Sequence, residues 1–305
     1  MKIPTMHEND LSHINYLISL IEKYDLTLPF DPLHNLIGNL LNKAPVAGIQ
    51  LKVPHDIFNP NIQEHINGCF RIRKFKEIES LKNQIQDDRA LWARPKASVN
   101  DYGRCHSPNQ EILYCSNNMI VGLAEVGAEV GDLCAVARFT SKSNVAPIKM
   151  VLLGDSRYKF ENDKKYNPLG HNIESQLSEL NLTKLKAIEA FLTKAFQKPI
   201  ALNEEYNYKL TSSVAKFYFN EPAKMFLKDE STSVEGILYP SIKANLKSYN
   251  LAIRNIVAQE LLQITNIFII RVLKIEDKKY MFEFIEQVVD QNTDGSYIWE
   301  HCGQA

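Results

Sequence analysis

The hydrophobic period of this chain changes near residue 66, and the change limits the folds open to it. Before that point apolar residues recur at helical spacing. Leu11, Ile14, Leu17, Ile18 and Ile21 follow a cap at Asn9 or Asp10, and Leu33, Leu36, Ile37, Leu40 and Leu41 follow Asp31-Pro32. Aspartate caps a helix and proline fits its first turn. Pro45, Pro54 and Pro60 with Gly48 mark 42–60 as an irregular strap. From Gly68 onward short apolar runs take over, and strands are expected at 69–73, 112–115, 133–139, 148–153 and 236–239. Helices are expected over 76–93, behind a cap at Ser116 or Asn117, and behind Thr183. The second of these turns Ile120, Ala124 and Val121 inward and carries Glu125. The third lines Leu185, Ile188, Leu192 and Phe196 along one face, within a mostly helical stretch over 155–235. Two β-rich runs, 267–275 and 280–289, joined by the charged turn 276–279, predict a hairpin. Short strands mixed with helices, without strict βαβ alternation, predict an α+β fold rather than a doubly wound sheet.

Charge narrows the function classes. Thirty-five basic against 36 acidic residues give a net charge of −1. That balance argues against a protein that works by gripping nucleic-acid phosphates or a membrane surface. The most apolar run, 267–273, is broken by Arg271 and is too short to span a bilayer, and Pro4, Glu8 and Asp10 sit where a signal peptide needs an apolar core. The chain reads as soluble and cytoplasmic. Its five cysteines, Cys69, Cys105, Cys115, Cys134 and Cys302, show no CxxC spacing, so reduced thiols are expected and no metal. Arginine is distributed unevenly. Six of the nine arginines (Arg71, Arg73, Arg89, Arg94, Arg104, Arg138) fall within residues 71–138. Arginine is the better residue for fixed, forked anion contacts, so anion chemistry is expected to start near residue 70. In a strand at 69–73, Arg71 and Arg73 alternate onto one face.

Several short motifs compete. Gly154-Asp155-Ser156 follows an apolar run, as in GDS-type esterases, but the late Asp-x-x-His pair that would activate the serine is missing. Cys105-His106 suggests a thiol and its base, yet neighbours on extended chain point to opposite sides. Neither GxGxxG nor GxxxxGK[ST] occurs. Gly103-Arg104, Tyr114 and Glu125 form a loop–strand–helix unit able to bring a guanidinium, a phenol and a carboxylate to one cleft, and Ser241 follows a later strand. On residue types alone the plainer reading prevails: Arg104 a surface ion pair, Tyr114 a core ring, Glu125 a solvated helix residue and Ser241 a turn or cap.

A family resemblance links them. Phe70-Arg71, Gly103-Arg104-Cys105-His106, Ile112-Leu113-Tyr114-Cys115-Ser116, Leu123-Ala124-Glu125-Val126, Glu235-Gly236-Ile237-Leu238-Tyr239-Pro240-Ser241 and Tyr249-Asn250-Leu251-Ala252-Ile253 resemble, in order, the blocks of the bacterial RES domain. The resemblance covers about residues 68–290. It implies an ADP-ribosyltransferase-like mixed β-sheet core with flanking helices, an N-terminal helical extension over 1–66 and an RES-like domain over 67–305. The long interval between Glu125 and Ser241 implies a helical insertion around 155–230. The resemblance further implies cleavage of NAD+ at the nicotinamide–ribose bond, by hydrolysis, phosphorolysis or ADP-ribosyl transfer, as in toxins of toxin–antitoxin pairs. Arg104, Glu125 and Ser241 match the family's naming trio, with Arg71, Tyr114 and His106 as nucleotide-binding positions. NAD+ enters as substrate, a cognate antitoxin is the implied protein partner, and a homodimer is compatible with it. The alternative is a nucleotide-binding or interaction module that keeps the fold without turnover.

The residue types suit that chemistry. Arginines hold a pyrophosphate through charge-assisted bonds, and an aromatic ring stacks on cationic nicotinamide. A carboxylate stabilises the oxocarbenium-like ribose that forms as the bond breaks.

Overall fold

The computed structural model describes residues 6–43, 48–51, 68–85, 88–154, 178–201, 204–220, 223–224, 231–232, 234–243, 248–277 and 279–302. The chain begins with α1 (Met6–Glu22), α2 (Phe30–Leu41), β1 (Gly48–Leu51), β2 (Cys69–Phe75) and α3 (Ile78–Gln84). It continues with β3 (Ile112–Ser116), α4 (Met119–Glu125), β4 (Leu133–Ser141), β5 (Ile148–Leu152), α5 (Glu179–Gln197) and α6 (Lys209–Asn220). The two-residue strands β6 (Ala223–Lys224) and β7 (Ser231–Thr232) precede β8 (Gly236–Pro240) and β9 (Tyr249–Arg254). Last come α7 (Asn255–Leu261), β10 (Leu262–Glu276), β11 (Lys279–Gln291) and β12 (Tyr297–His301). The fold is α+β, as the pattern of short strands among helices predicts. No helix among the described residues is long and apolar enough to cross a membrane.

Two units are built from interleaved stretches. One comprises Met1–Gln50, Lys96–Gln110 and Lys149–Ile242; the other comprises Leu51–Pro95, Glu111–Ile148 and Lys243–Ala305.

The first unit is mainly helical. Ile14, Leu17 and Ile21 of α1, Leu33, Ile37 and Leu40 of α2, Leu185, Ile188, Leu192 and Phe196 of α5, and Val214, Phe217 and Tyr218 of α6 are buried. These are the i, i+3, i+4 faces that periodicity marks in α1, α2 and α5. Helix α1 packs on α2 and α5, and α2 packs on α6. Helices from before residue 66 and helices from the stretch read as an insertion thus share one layer, tied by His34 Nδ1 to Ser213 Oγ at 3.1 Å. The expected boundary near residue 66 lies outside the described residues. Two caps differ from expectation. Helix α1 already runs at Met6, upstream of Asn9 and Asp10. The cap of α5 is Ser178, whose Oγ accepts from Asn181 N, while Thr183 sits inside the helix and donates to Glu179 O at 2.8 Å. A serine or threonine one turn into a helix bonds back to a carbonyl and cannot cap. The strands of this unit follow the order β1-β5-β8, with β5 and β8 parallel and Met150 opposite Gly236. Gly154 turns the chain at φ 67° two residues after β5; Asp155 and Ser156, the rest of the GDS motif, lie outside the described residues.

The second unit is a sheet in the order β9-β3-β2-β4-β10-β11-β12, antiparallel at every pair. Alternation along β2 sends Phe70 and Ile72 to one face. There they join Met119 and Leu123 of α4, Val136 of β4 and Ile270 and Val272 of β10 in an apolar cluster. Arg71 and Arg73 alternate to the other face, as the sequence predicts. Gly122 lets α4 lie close, because a Cβ there would come 2.8 Å from Ile72 Cδ1. The hairpin of β10 and β11 closes at Glu276 opposite Lys279, with Asp277 left-handed at φ 48°. Two expectations are corrected. The helix foreseen over 76–93 is shorter: α3 stops at Gln84, and 3-10 turns follow at Asp88–Ala90 and Lys96–Ser98. In α4 the buried residues are Val121, Gly122 and Leu123, not Ile120 and Ala124. Strands β9 and β12 and helix α7 carry no separate expectation from sequence.

Candidate functional site

Two groups of side chains in the second unit flank the place where β3 meets β2, one on each face of the sheet. The two strands share a single registered pair, Phe70 with Ser116. Beside it, Arg71 is not laddered to β3 but reaches across, its Nη1 donating to Tyr114 O at a long 3.4 Å. Arg71 Nε is buried without a hydrogen-bond partner among the described residues. Burial first, and then the charges of Arg73 and Arg94, lower the Arg71 guanidinium to about 10. Burial and Arg94 lower Arg73 as well. Three guanidiniums close enough to repel, with no carboxylate pairing them among the described residues, are a poor arrangement unless an anion joins them.

Glu125 is set on the other face of the sheet, the one carrying Ile72, by the ends of α4. Asn118 caps the helix, its Oδ1 accepting from Val121 N at 2.9 Å. Ser116 and Asn117 do not supply the cap, because Ser116 Oγ is bonded elsewhere: it donates to Asn250 Oδ1 at 2.7 Å. At the other end Gly127, at φ 62°, closes the helix with Gly127 N to Ala124 O and Ala128 N to Leu123 O. This glycine closure stops the helix at Glu125, and Ala128 and Leu123 pack together as it requires. Asn250 Nδ2 then donates to Glu125 Oε1 at 2.8 Å, and Lys243 Nζ donates to the Glu125 carbonyl at 3.1 Å. Asn250 is opposite Ser116 in the β3–β9 ladder, so both side chains rise on the face that carries α4. Asn117 Oδ1, the next residue along, is buried and has no hydrogen-bond partner among the described residues.

Among the residues singled out from sequence, Tyr114 shares with Ser116 and Asn250 the face of the sheet that carries α4 and Glu125, whereas Arg71 projects from the opposite face and reaches only the Tyr114 carbonyl. Beside Glu125 the structure adds Ser116 and Asn250, and beside Arg71 it adds Arg73 and Arg94. Asn250 and Ser116 were visible inside the motif blocks, and Arg73 in the strand alternation. Arg94 stands out only as one of the clustered arginines.

Arg104, His106 and Ser241 belong to the first unit. The Arg104 guanidinium closes the C-terminus of α5: Nη1 donates to Phe196 O at 2.7 Å, Nη2 to Lys198 O at 3.3 Å, and the group lies 5.3 Å from the centre of the Tyr208 ring. Helix C-termini leave carbonyls that a cation satisfies. His106 is buried, its backbone bridged to Gly103 and its ring so close that a Cβ at Gly103 would collide with it. Ser241 is fully buried just after β8.

Three buried thiols, Cys69, Cys105 and Cys134, are poor nucleophiles. Burial raises Cys105 well above the usual thiol range and Cys134 to about 12, and a hydrogen bond from the Cys69 thiol to Cys115, with burial, raises Cys69. Among the described residues no group of three or more His, Cys, Asp or Glu could hold a metal ion. No family model, curated protein or solved structure matches the chain.

Proposed function

We propose that this protein consumes NAD+, breaking the bond between nicotinamide and ribose, with Glu125 as the carboxylate that stabilises the developing ribosyl cation. The observation that carries the reading is the Glu125 carboxylate, tied to Asn250 beside the β2–β3 junction; Arg71, buried and weakly bonded, lies on the other face of that junction, where β2 and β3 share a single registered pair. Arg71, with Arg73 and Arg94 beside it, suits the two negative charges of a pyrophosphate. Tyr114 offers its ring to the nicotinamide. As the C1′–N bond breaks, its electron pair leaves on the nicotinamide nitrogen and the ring becomes neutral. The ribosyl cation is captured by a nucleophile; if that is water, ADP-ribose and a proton result. Arg104, His106 and Ser241 enter this proposal through the RES resemblance. So do the bacterial toxin role, the antitoxin partner, the cytoplasmic location and the ADP-ribosyltransferase-like form of the sheet.

A second reading, a nucleotide-binding module without turnover, is favoured by one observation: the Arg104 fork faces the carbonyls of α5. Incubation of the purified protein with NAD+, with and without phosphate, followed by mass-detected chromatography separates the two. Free nicotinamide with ADP-ribose or its 1″-phosphate supports the enzyme and names the acceptor. NAD+ bound but intact supports the module.

A further inference from the structure

The hydrogen bonds around Glu125 have a direction, and the direction is fixed by chemistry. An ionised carboxylate only accepts, so the Asn250 side chain must turn its amide nitrogen toward Glu125. Its oxygen is then left facing Ser116, whose hydroxyl donates. Turning the amide over would break the bond to Glu125, while the Ser116 hydroxyl could rotate and accept from the amide nitrogen, so the carboxylate sets the amide's direction and Ser116 holds the side chain in place. Asn250 is 5% exposed and Ser116 4% exposed, so water offers neither a ready substitute. Both residues are paired in the β3–β9 ladder, and Ser116 is also paired with Phe70 on β2. The base of the chain Ser116–Asn250–Glu125 is therefore sheet, while its tip is the last residue of a capped helix.

Resting on the NAD+-cleaving reading, we propose that Asn250 and Ser116 are positioning residues: Ser116 tethers the Asn250 side chain, and Asn250 holds the Glu125 carboxylate in one plane before substrate arrives. Neither touches the breaking bond. A glutamate side chain turns about three bonds, and fixing it in advance removes that reorganisation from the reaction step. The effect falls on turnover rather than on affinity, because the nucleotide phosphates are held by other residues.

The test is a set of four variants, Asn250→Asp, Asn250→Leu, Ser116→Ala and Ser116→Thr, read in two ways. The first is steady-state nicotinamide release. Losing a hydrogen bond to a charged group lowers kcat about 10- to 100-fold in both Asn250 variants. Ser116→Ala lowers it less, Ser116→Thr keeps the hydroxyl and restores it, and KM stays within about threefold throughout. The second readout needs no turnover: carbodiimide coupling of an amine to Glu125, followed by peptide mass spectrometry. Coupling is faster in Asn250→Leu and Ser116→Ala than in the wild type and in Ser116→Thr.

A kcat within twofold of wild type in Asn250→Asp overturns the proposal. So does a parallel loss of kcat, KM and melting temperature that Ser116→Thr does not repair, which marks a merely structural pair. If the wild type releases no nicotinamide, the NAD+-cleaving reading fails by itself. The labelling then decides the positioning role: faster coupling in the variants supports it and unchanged coupling overturns it.

Discussion

Arg71 and Arg104 are the same residue type on two motif positions of one resemblance, and their surroundings are opposite. Arg104 meets two main-chain carbonyls at the end of a 19-residue helix and lies over a tyrosine ring. Arg71 has one long bond to a carbonyl, a buried Nε without a partner among the described residues, and two arginines whose charges oppose its own. The first guanidinium completes its own scaffold; the second is held in a site it destabilises. A motif gives an arginine its place in the chain. Local carbonyls and local charge decide whether it is left to bind an anion.

That contrast can be broken by substitution. The largest effect on stability is expected for Arg104→Met, which deprives the end of α5 of two charge-assisted bonds worth together about 1.5–3 kcal/mol. The melting temperature falls in thermal denaturation followed by circular dichroism. A variant that kept its melting temperature but lost nucleotide affinity would reverse the comparison. Arg71→Met is expected to behave the other way. Binding of inorganic pyrophosphate, measured by calorimetry, weakens about 10- to 100-fold, since a bond to a charged group contributes about 1.5–3 kcal/mol. The melting temperature is unchanged or higher, because a desolvated charge has been removed.

A smaller effect is expected at Gly127. Its left-handed φ strains any Cβ, so Gly127→Ala costs about 1–2 kcal/mol of stability in urea denaturation. It also loosens the end of α4, so nicotinamide release slows with it. The smallest effect concerns pH. Arg71 is lowered to about 10, so its charge is complete below that pH and is lost as pH rises through it. Pyrophosphate binding therefore weakens between about pH 9 and 11. Arg73→Met removes a repelling charge and moves that decline to higher pH; an unmoved decline would remove Arg73 from the cluster.

Much of this was legible in the sequence, for identifiable reasons. Periodicity 3.6 gave the buried faces of α1, α2 and α5, and the charged turn gave the hairpin of β10 and β11, because both patterns are local. Alternation placed Arg71 and Arg73 on one face of β2. What could not be read depends on partners far along the chain. The cap of α4 passed from Ser116 to Asn118 because Ser116 is bonded to Asn250, 134 positions away. The helices before residue 66 packed with α5 and α6 because complementary apolar faces, not chain proximity, choose neighbours. The role of Arg104 turned on where α5 ends, a boundary that composition does not mark.

The most direct test of the account is single-turnover release of nicotinamide from NAD+ by wild type and Glu125→Gln. The account predicts release by the wild type and a loss of about 10²–10³-fold in the variant, the size expected for one electrostatic group at the reacting centre, with NAD+ binding retained. Equal release by the two proteins would contradict it.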